Sequence, residues 1–346
     1  MTEGTHPRLD EQVEELPLLT DTATVTRVEA LDEQRHDEIR RAVHRLLREH
    51  GADVTRYIGE ESIAWTPLLD ATAELDLPDV TRKKLRTLRE RDERDFPSLV
   101  EVAFDPEEPF DFAPGQFVTI RFRGTPRPYS IASSPNAEEM SLCVRRVPGG
   151  RLSEKLCAEL KPGDHLPELR GPNGEFTLQD PAPTDMAFLA TGTGIAPLRS
   201  MVNYVFEEGR DTYEGEPRDI WVFLGASWED DLAFREEFRA LDDAHEHFHF
   251  VPCLTRERYL TGWTGETDYV QQTLLKYVAE DVDAPDLDPD LEAYLDAEPE
   301  TDIAARIDPA DLEVYACGVS AMVQTLEDVC SCVGVSGGDI RGEGYG

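Results

Sequence analysis

Short runs of strict apolar–polar alternation recur along the first half of this chain and read as strands. They are ATVTRVEAL (23–31), SLVEVAFDP (98–106), Phe117 to Phe122 and MSLCVRRV (140–147). Between the first two the period lengthens. HDEIRRAVHRLLREHG sets Ile39, Val43, Leu46 and Leu47 at helical spacing and stops at Gly51, and SIAWTPLLDATAEL and DVTRKKLRTLRERDE read as further helices. GDHLPELRGPNGEFTL (163–178) reads as the last strands of a small barrel, with Asn173-Gly174 as a turn signal. The pattern then changes. MAFLAT (186–191) is continuously apolar, as a strand buried on both faces must be, and strands at 220–227 and in FHFVPCLT and LEVYACG alternate with helices. The prediction is a two-domain β-barrel plus α/β protein: an antiparallel barrel, then a doubly wound parallel sheet with ligands beyond the carboxyl ends of its strands.

Length and charge narrow the function. At 346 residues the chain holds two cores, and 72 acidic against 34 basic side chains give a net charge of −38. That charge disfavours nucleic acid and anionic membrane as partners. It suits the surface of a halophilic protein in a high-salt cytoplasm, where self-repulsion is screened. The segment from Arg35 to Arg94 is the exception, with 13 basic and 13 acidic side chains. Its faint helix-turn-helix pattern lacks the net basic face a DNA reader needs. Six cysteines without a C-x-x-C pair argue against a zinc or iron–sulfur site. No signal peptide and no run of transmembrane length are apparent, so a cytoplasmic protein with reduced thiols is expected.

Three stretches carry candidate chemistry. In the strand after the Gly124-Thr125-Pro126 turn, Arg127 and Tyr129 share a face, and a cation beside a flat phenol suits a ligand with a phosphate and an aromatic ring. Ser130 opposes them or turns in at the strand end. Gly149 and Gly150 precede a helix beginning at Ser153, which makes either a diphosphate cradle of backbone N–H groups or an ordinary N-capped helix. After the MAFLAT strand, which ends at Thr191, Gly192-Thr193-Gly194 lets the backbone approach a diphosphate, and Pro197 is preset for a first helical turn. This is not the G-x-G-x-x-G fingerprint.

R-x-Y-S at 127–130, followed by L-C-V-R-R, G-x-x-S, G-T-G-I-A-P, Y-A-C-G and a terminal E-x-Y, resembles the ferredoxin–NADP reductase family, in the family's order and over nearly all of 97–346. The resemblance implies an FAD-binding barrel domain at 23–180 after a polar tail (1–22), and an NAD(P)-binding domain at 181–346. It makes 33–95 a helical insertion within the flavin domain, available either as a packing cap or as a dock for an acidic electron carrier. The acidic stretch 281–311, with five aspartates between Asp281 and Asp290, becomes a solvated excursion without chemistry. Tyr129 would pack on the isoalloxazine, Arg127 would meet the flavin diphosphate, and Ser130 would lie near N5. Val144 and Arg145 would line the flavin, with Gly150 and Ser153 on its phosphates. Thr191, Gly192, Thr193, Gly194 and Pro197 would serve the nucleotide. Cys317-Gly318 would sit beside the nicotinamide, Glu343 would relay protons or contact a partner, and Tyr345 would cap the flavin, more loosely because the chain runs on to Gly346.

The implied cofactors are FAD, whose second phosphate the cradle would use, and NADP(H) in preference to NAD(H). Thr255, Arg256, Arg258 and Tyr259 stand where the family holds the 2′-phosphate. Against that, Ser227 replaces a frequent arginine, and Glu229, Asp230 and Asp231 could bind the ribose hydroxyls of NAD. The implied function is hydride transfer between NADP(H) and flavin, and single-electron transfer to a small, separate, acidic carrier such as ferredoxin. A reductase component of an oxygenase, a free-flavin reductase, a flavin subunit of a larger assembly and a redox-sensing regulator remain alternatives.

Overall fold

The computed structural model describes residues 16–53, 55–59, 62–122, 125–280 and 282–345. Its first half is an antiparallel sheet of six strands, β1 (Leu18–Ala30), β2 (Leu99–Pro106), β3 (Phe117–Phe122), β4 (Thr125–Ser130), β5 (Met140–Arg145) and β6 (His165–Asn173), in the order β4-β3-β6-β1-β2-β5. Alternate residues, among them Val25, Val100, Val102, Val118, Ile120, Leu142 and Val144, meet in one core. Burying that single face curls the sheet until its edges meet, where the Ala132 N–H donates to Ser141 O at 2.8 Å. β1 begins before the alternation does. Leu18 and Thr20 pair with Arg170 and Leu169, which brings residues 18–22 of the expected tail into the barrel. Residues 1–15 of that tail lie outside the described residues.

The second half is a five-stranded parallel sheet, β7 (Asp185–Thr191), β10 (Ile220–Ala226), β11 (Phe248–Leu254), β12 (Leu312–Val319) and β13 (Ile340–Tyr345), ordered β11-β10-β7-β12-β13. A minor hairpin of β8 (Thr212–Tyr213) and β9 (Glu216–Pro217) stands apart from it. The unbroken apolar run of β7 feeds two cores: Met186, Phe188 and Ala190 face one, Ala187 and Leu189 the other. β13 is a strand that the glycine-rich terminal sequence did not announce. It pairs with β12 so that Cys317 lies beside Glu343 and Val319 beside Tyr345. Gly344 permits this, because a Cβ there would lie 2.9 Å from Ser320 Cα. The acidic excursion is likewise more than solvated chain. Leu287 and Ile307 are buried against the sheet, and Glu300 N–H donates to the buried Glu266 at 2.6 Å.

Three helices, α1 (His36–Glu49), α2 (Trp65–Ala73) and α3 (Asp79–Asp92), occupy the insertion. It leaves and returns at one point, since the Leu31 N–H meets Leu99 O at 2.9 Å and β1 and β2 pair across it. The helices do not pack into the barrel, however. Ile39, Val43, Leu47, Trp65, Leu68, Leu85 and Leu88 close over Trp228 and Leu260 of the α/β half. A chain segment that leaves and re-enters the antiparallel barrel therefore covers the parallel-sheet half.

A buried ionic cluster fastens this arrangement. Arg35 makes a two-pronged contact with Glu257, both bonds 2.8 Å, and reaches Asp230 at 3.3 Å. Arg91 also bonds Asp230. Asp231 accepts from Arg94 at 2.7 Å and from Arg145 of β5 at 2.9 Å. Breaking such a pair is costly because the surviving charge stays desolvated. Asp230→Ala takes the paired carboxylate from the buried Arg91, while Arg35 keeps Glu257, and should cost ~3 kcal/mol or more in denaturant unfolding; a loss below ~1 kcal/mol would show the cluster to be hydrated and dispensable.

Asp185 opens β7, and burial, with Asp219 and Asp311 nearby, pushes its carboxyl up to about 6. The folded pKa lies above the unfolded one, so the protonated form stabilises the fold at low pH and that stabilisation is lost as pH rises through about 6. Asp185→Asn keeps an acceptor for the Asp219 N–H, now 2.8 Å away. The variant should therefore gain stability over the parent on going from about pH 5 to about pH 8, read as thermal midpoints. A gap that stays constant with pH would contradict it.

Candidate functional site

The two halves enclose a cleft of about 980 Å³ at the carboxyl ends of β7, β12 and β13. From the barrel, β4 contributes Arg127, Tyr129 and Ser130. Tyr129 is half-buried, and burial pushes its phenol up to about 12, so the ring stays neutral. The exposed Arg127 donates to Pro126 O at 2.7 Å and has no carboxylate partner among the described residues. Ser130 closes β4 and turns into the cleft. Alternation decides β5: Cys143 and Arg145 line the cleft, while the Val144 side chain lies in the barrel core. Arg145 does not face the cleft as a free cation, because Asp231 and Ser98 Oγ hold its Nη1.

The loop before α4 (Ser153–Ala158) has the compactness of a cradle but not the cap the sequence suggested. Ser153 Oγ accepts the Val147 N–H at 3.1 Å, and the N-cap position falls on Leu152. A Cβ at Gly150 would lie 2.5 Å from Ser153 Oγ, so the loop closes only around glycine. Gly149, Arg151 and Leu152 of this loop line the cleft as well.

Opposite lies the turn from β7 into α5 (Ile195–Glu207). Gly192, at φ +56°, and Thr193 face the cleft, whereas Thr191, Gly194, Pro197 and Gly318 shape it from behind. Gly194 packs so closely on β12 that a Cβ would lie 2.2 Å from Cys317 O. The Tyr345 hydroxyl spans this turn, donating to Thr191 O at 2.9 Å and accepting the Gly194 N–H at 3.1 Å. The terminal aromatic is thus pinned rather than loose; Gly346 lies outside the described residues. Cys317 is buried, and burial raises its thiol, which stays protonated; burial also raises the half-buried Glu343 carboxyl. An apolar wall, an arginine without a carboxylate partner among the described residues and glycine loops that exclude side chains together fit a large planar ligand that carries phosphates.

Thr255, Arg256, Arg258 and Tyr259 lie outside this cleft, beyond β11 at the far edge of the sheet. The Thr255 N–H holds Ala226 O at 3.1 Å, and Arg256 is exposed without a carboxylate partner among the described residues. Arg258 is spent on Glu300 of the acidic excursion and on Trp263 O at 3.2 Å, so it does not offer the free cation expected of it. The carboxylates that the sequence offered to a ribose are also taken: Glu229 by Arg239, and Asp230 and Asp231 by the arginine cluster. Sequence reasoning missed Phe117, Cys143, Val147 and, in the glycine loop, Arg151 and Leu152; period-two alternation from Arg145 would have found Cys143.

Gly194→Ala should separate the β7 turn from β12, costing about 1–3 kcal/mol of overpacking. Its check is dinucleotide affinity measured by fluorescence quenching, which should fall; parent-like affinity would mean that the turn yields without effect on the cleft.

Two family models match, Oxidoreductase FAD-binding domain over 98–178 and Oxidoreductase NAD-binding domain over 188–328, so the insertion lies outside both. The chain is 31% identical over 240 residues to ferredoxin–NADP reductase B of Sorangium cellulosum, covering 67% of this chain and 85% of that one. It is 32% identical over 162 residues to the reductase component of propane 2-monooxygenase from Mycolicibacterium goodii, where it spans 44% of the relative's length and 45% of its own. A crystal structure of a ferredoxin NADP+ reductase from Neisseria gonorrhoeae with bound FAD and NADP superposes with a TM-score of 0.53 at 22% identity, covering 72% of this chain and 93% of that one. That likeness is one of fold.

Proposed function

We propose, because the chain belongs to the ferredoxin–NADP reductase-like family of FAD/NAD(P)-binding oxidoreductases, that it exchanges reducing equivalents between NADP(H) and a small separate one-electron carrier such as ferredoxin. FAD, when bound, supplies the ring that links two-electron and one-electron chemistry, which no side chain can. The observation that carries the reading is the convergence of barrel residues Arg127, Tyr129 and Ser130 with Cys317, Glu343 and Tyr345 of the sheet around one cleft. Tyr129 and Tyr345 supply flat apolar surface, Arg127 and the Gly149–Ser153 loop supply counter-charge and N–H groups for a diphosphate, and Ser130 offers a hydroxyl at the ring edge. Neutral Cys317 positions a nicotinamide by contact rather than by charge. Glu343, its carboxyl raised by burial, is suited to hold a proton at the cleft mouth.

Preference for NADP(H) is part of the proposal. Arg256 is free to meet a 2′-phosphate, and the neighbouring carboxylates are neutralised by arginines rather than open to a ribose. A ferredoxin partner is favoured over an oxygenase component because the match to the ferredoxin reductase spans most of that protein, whereas the match to the monooxygenase reductase spans about half of it.

Anaerobic titration in concentrated KCl should bleach the flavin bands readily with NADPH and poorly with NADH. Arg256→Ala should raise KM for NADPH about tenfold and leave KM for NADH nearly unchanged, the loss of one charge-assisted contact. Equal effects on the two would refute the NADP assignment. Faster turnover with free FMN than with ferredoxin would move the enzyme to the free-flavin or oxygenase class.

A further inference from the structure

The insertion helices reach the far edge of the sheet at one aromatic ring, and we infer that they complete the pocket for the adenosine end of the nucleotide, with Lys84 of α3 as a cation that binds the ribose phosphate. The inference rests on the proposed assignment of Arg256 and Tyr259 to that end. Lys84 Nζ lies 5.1 Å from the centroid of the Tyr259 ring. Trp228 meets the same ring edge-on at 6.4 Å. From α1, Arg45 Nη2 approaches the carbonyls of Tyr259 and Leu260 at 3.4 and 3.3 Å. The short turn that carries Tyr259 begins at Arg256, whose N–H is held by Ser227 O at 3.0 Å. Two helices of the insertion thus bring cations to a segment that already has an exposed arginine.

The cations of this patch are not taken up by any described carboxylate. In a chain of net charge −38, Lys84, Arg45 and Arg256 have no carboxylate within ion-pair distance among the described residues. The acidic groups that flank Tyr259 and its neighbour Trp228 in the chain are already compensated. Glu257 is held by Arg35, Asp230 by Arg35 and Arg91, Asp231 by Arg94 and Arg145, and Glu229 by Arg239. Lys84 over the Tyr259 ring, with Arg256 at the start of the same turn, is therefore uncompensated positive charge beside a flat aromatic face, the chemistry that receives a purine nucleoside bearing a phosphate monoester. A ribose with free hydroxyls brings no anion to these cations. The segment that lies outside both family models thus takes part in discriminating between the two nicotinamide nucleotides.

The test is calorimetric titration of the full-length, FAD-loaded protein with 2′,5′-ADP and with 5′-AMP, probes that undergo no turnover. The parent should bind 2′,5′-ADP at least about tenfold more tightly than 5′-AMP. Lys84→Met keeps an apolar stem against Tyr259 and removes the charge; it should erase about tenfold of that preference, leave 5′-AMP affinity within about twofold, and be rescued by Lys84→Arg. A Lys84→Met protein with the parent's preference, or with both affinities lowered equally, overturns the role of the insertion while the NADP assignment stands. A parent that binds the two probes alike removes both.

Discussion

Two buried and two half-buried arginines, meeting three buried carboxylates at one point, hold the molecule in its working shape. Arg35, Arg91 and Arg94 come from the insertion or its flanks, Arg145 from the barrel, and Asp230, Asp231 and Glu257 from loops of the nucleotide sheet. Chemistry shared between a flavin and a nicotinamide depends on the relative placement of two separately folded halves, and small misplacements are costly. Apolar contact alone resists separation but tolerates sliding. Directional, desolvated ion pairs select one arrangement, because each alternative leaves a charge buried without a partner. Asp231 is the joint of this lock: its carboxylate accepts from Arg94 of the insertion and from Arg145 of the cleft.

A second lock works on the other side of the seam. Arg199 of α5 reaches Glu101 at 3.2 Å and Ala132 O at 3.1 Å in the barrel, while Glu237 grips its Nε at 2.8 Å. Five of the cations of this acidic chain thus stand where its parts meet. Among the described cations without carboxylate partners, Arg127 in the cleft and Lys84 and Arg256 at the sheet edge stand at the two places where a dinucleotide would present phosphates. Placing cations in this way gives an acidic surface local sites for anions without changing its overall repulsion.

Much of this was legible in the residue order. Alternation marked the strands of the barrel, and the unbroken run Met186–Ala190 marked a strand between two cores; both depend on which faces are buried, a local and periodic property. The cleft residues of β4 and the glycine turn after β7 were readable for the same reason, since two-residue spacing and the absence of a Cβ are written directly in the chain. β13 was not readable. Its glycines carry no apolar pattern, and they form a strand only because β12 and Ser320 leave room for a bare backbone.

Which charges remain free was decided by tertiary structure alone. In sequence, Arg256 and Arg258 are equivalent cations, and Asp230 and Asp231 are plausible ribose ligands. Folding brings Glu300 to Arg258 and the insertion's arginines to the two aspartates, leaving Arg256 exposed beside Tyr259. The destination of the insertion was hidden in the same way. Its helices announce an apolar face by their spacing, but Trp228 and Leu260, the residues that cover that face, are far away along the chain. Periodicity records that a surface must be buried; only the folded chain, which must satisfy every such surface and every buried charge at once, determines against what.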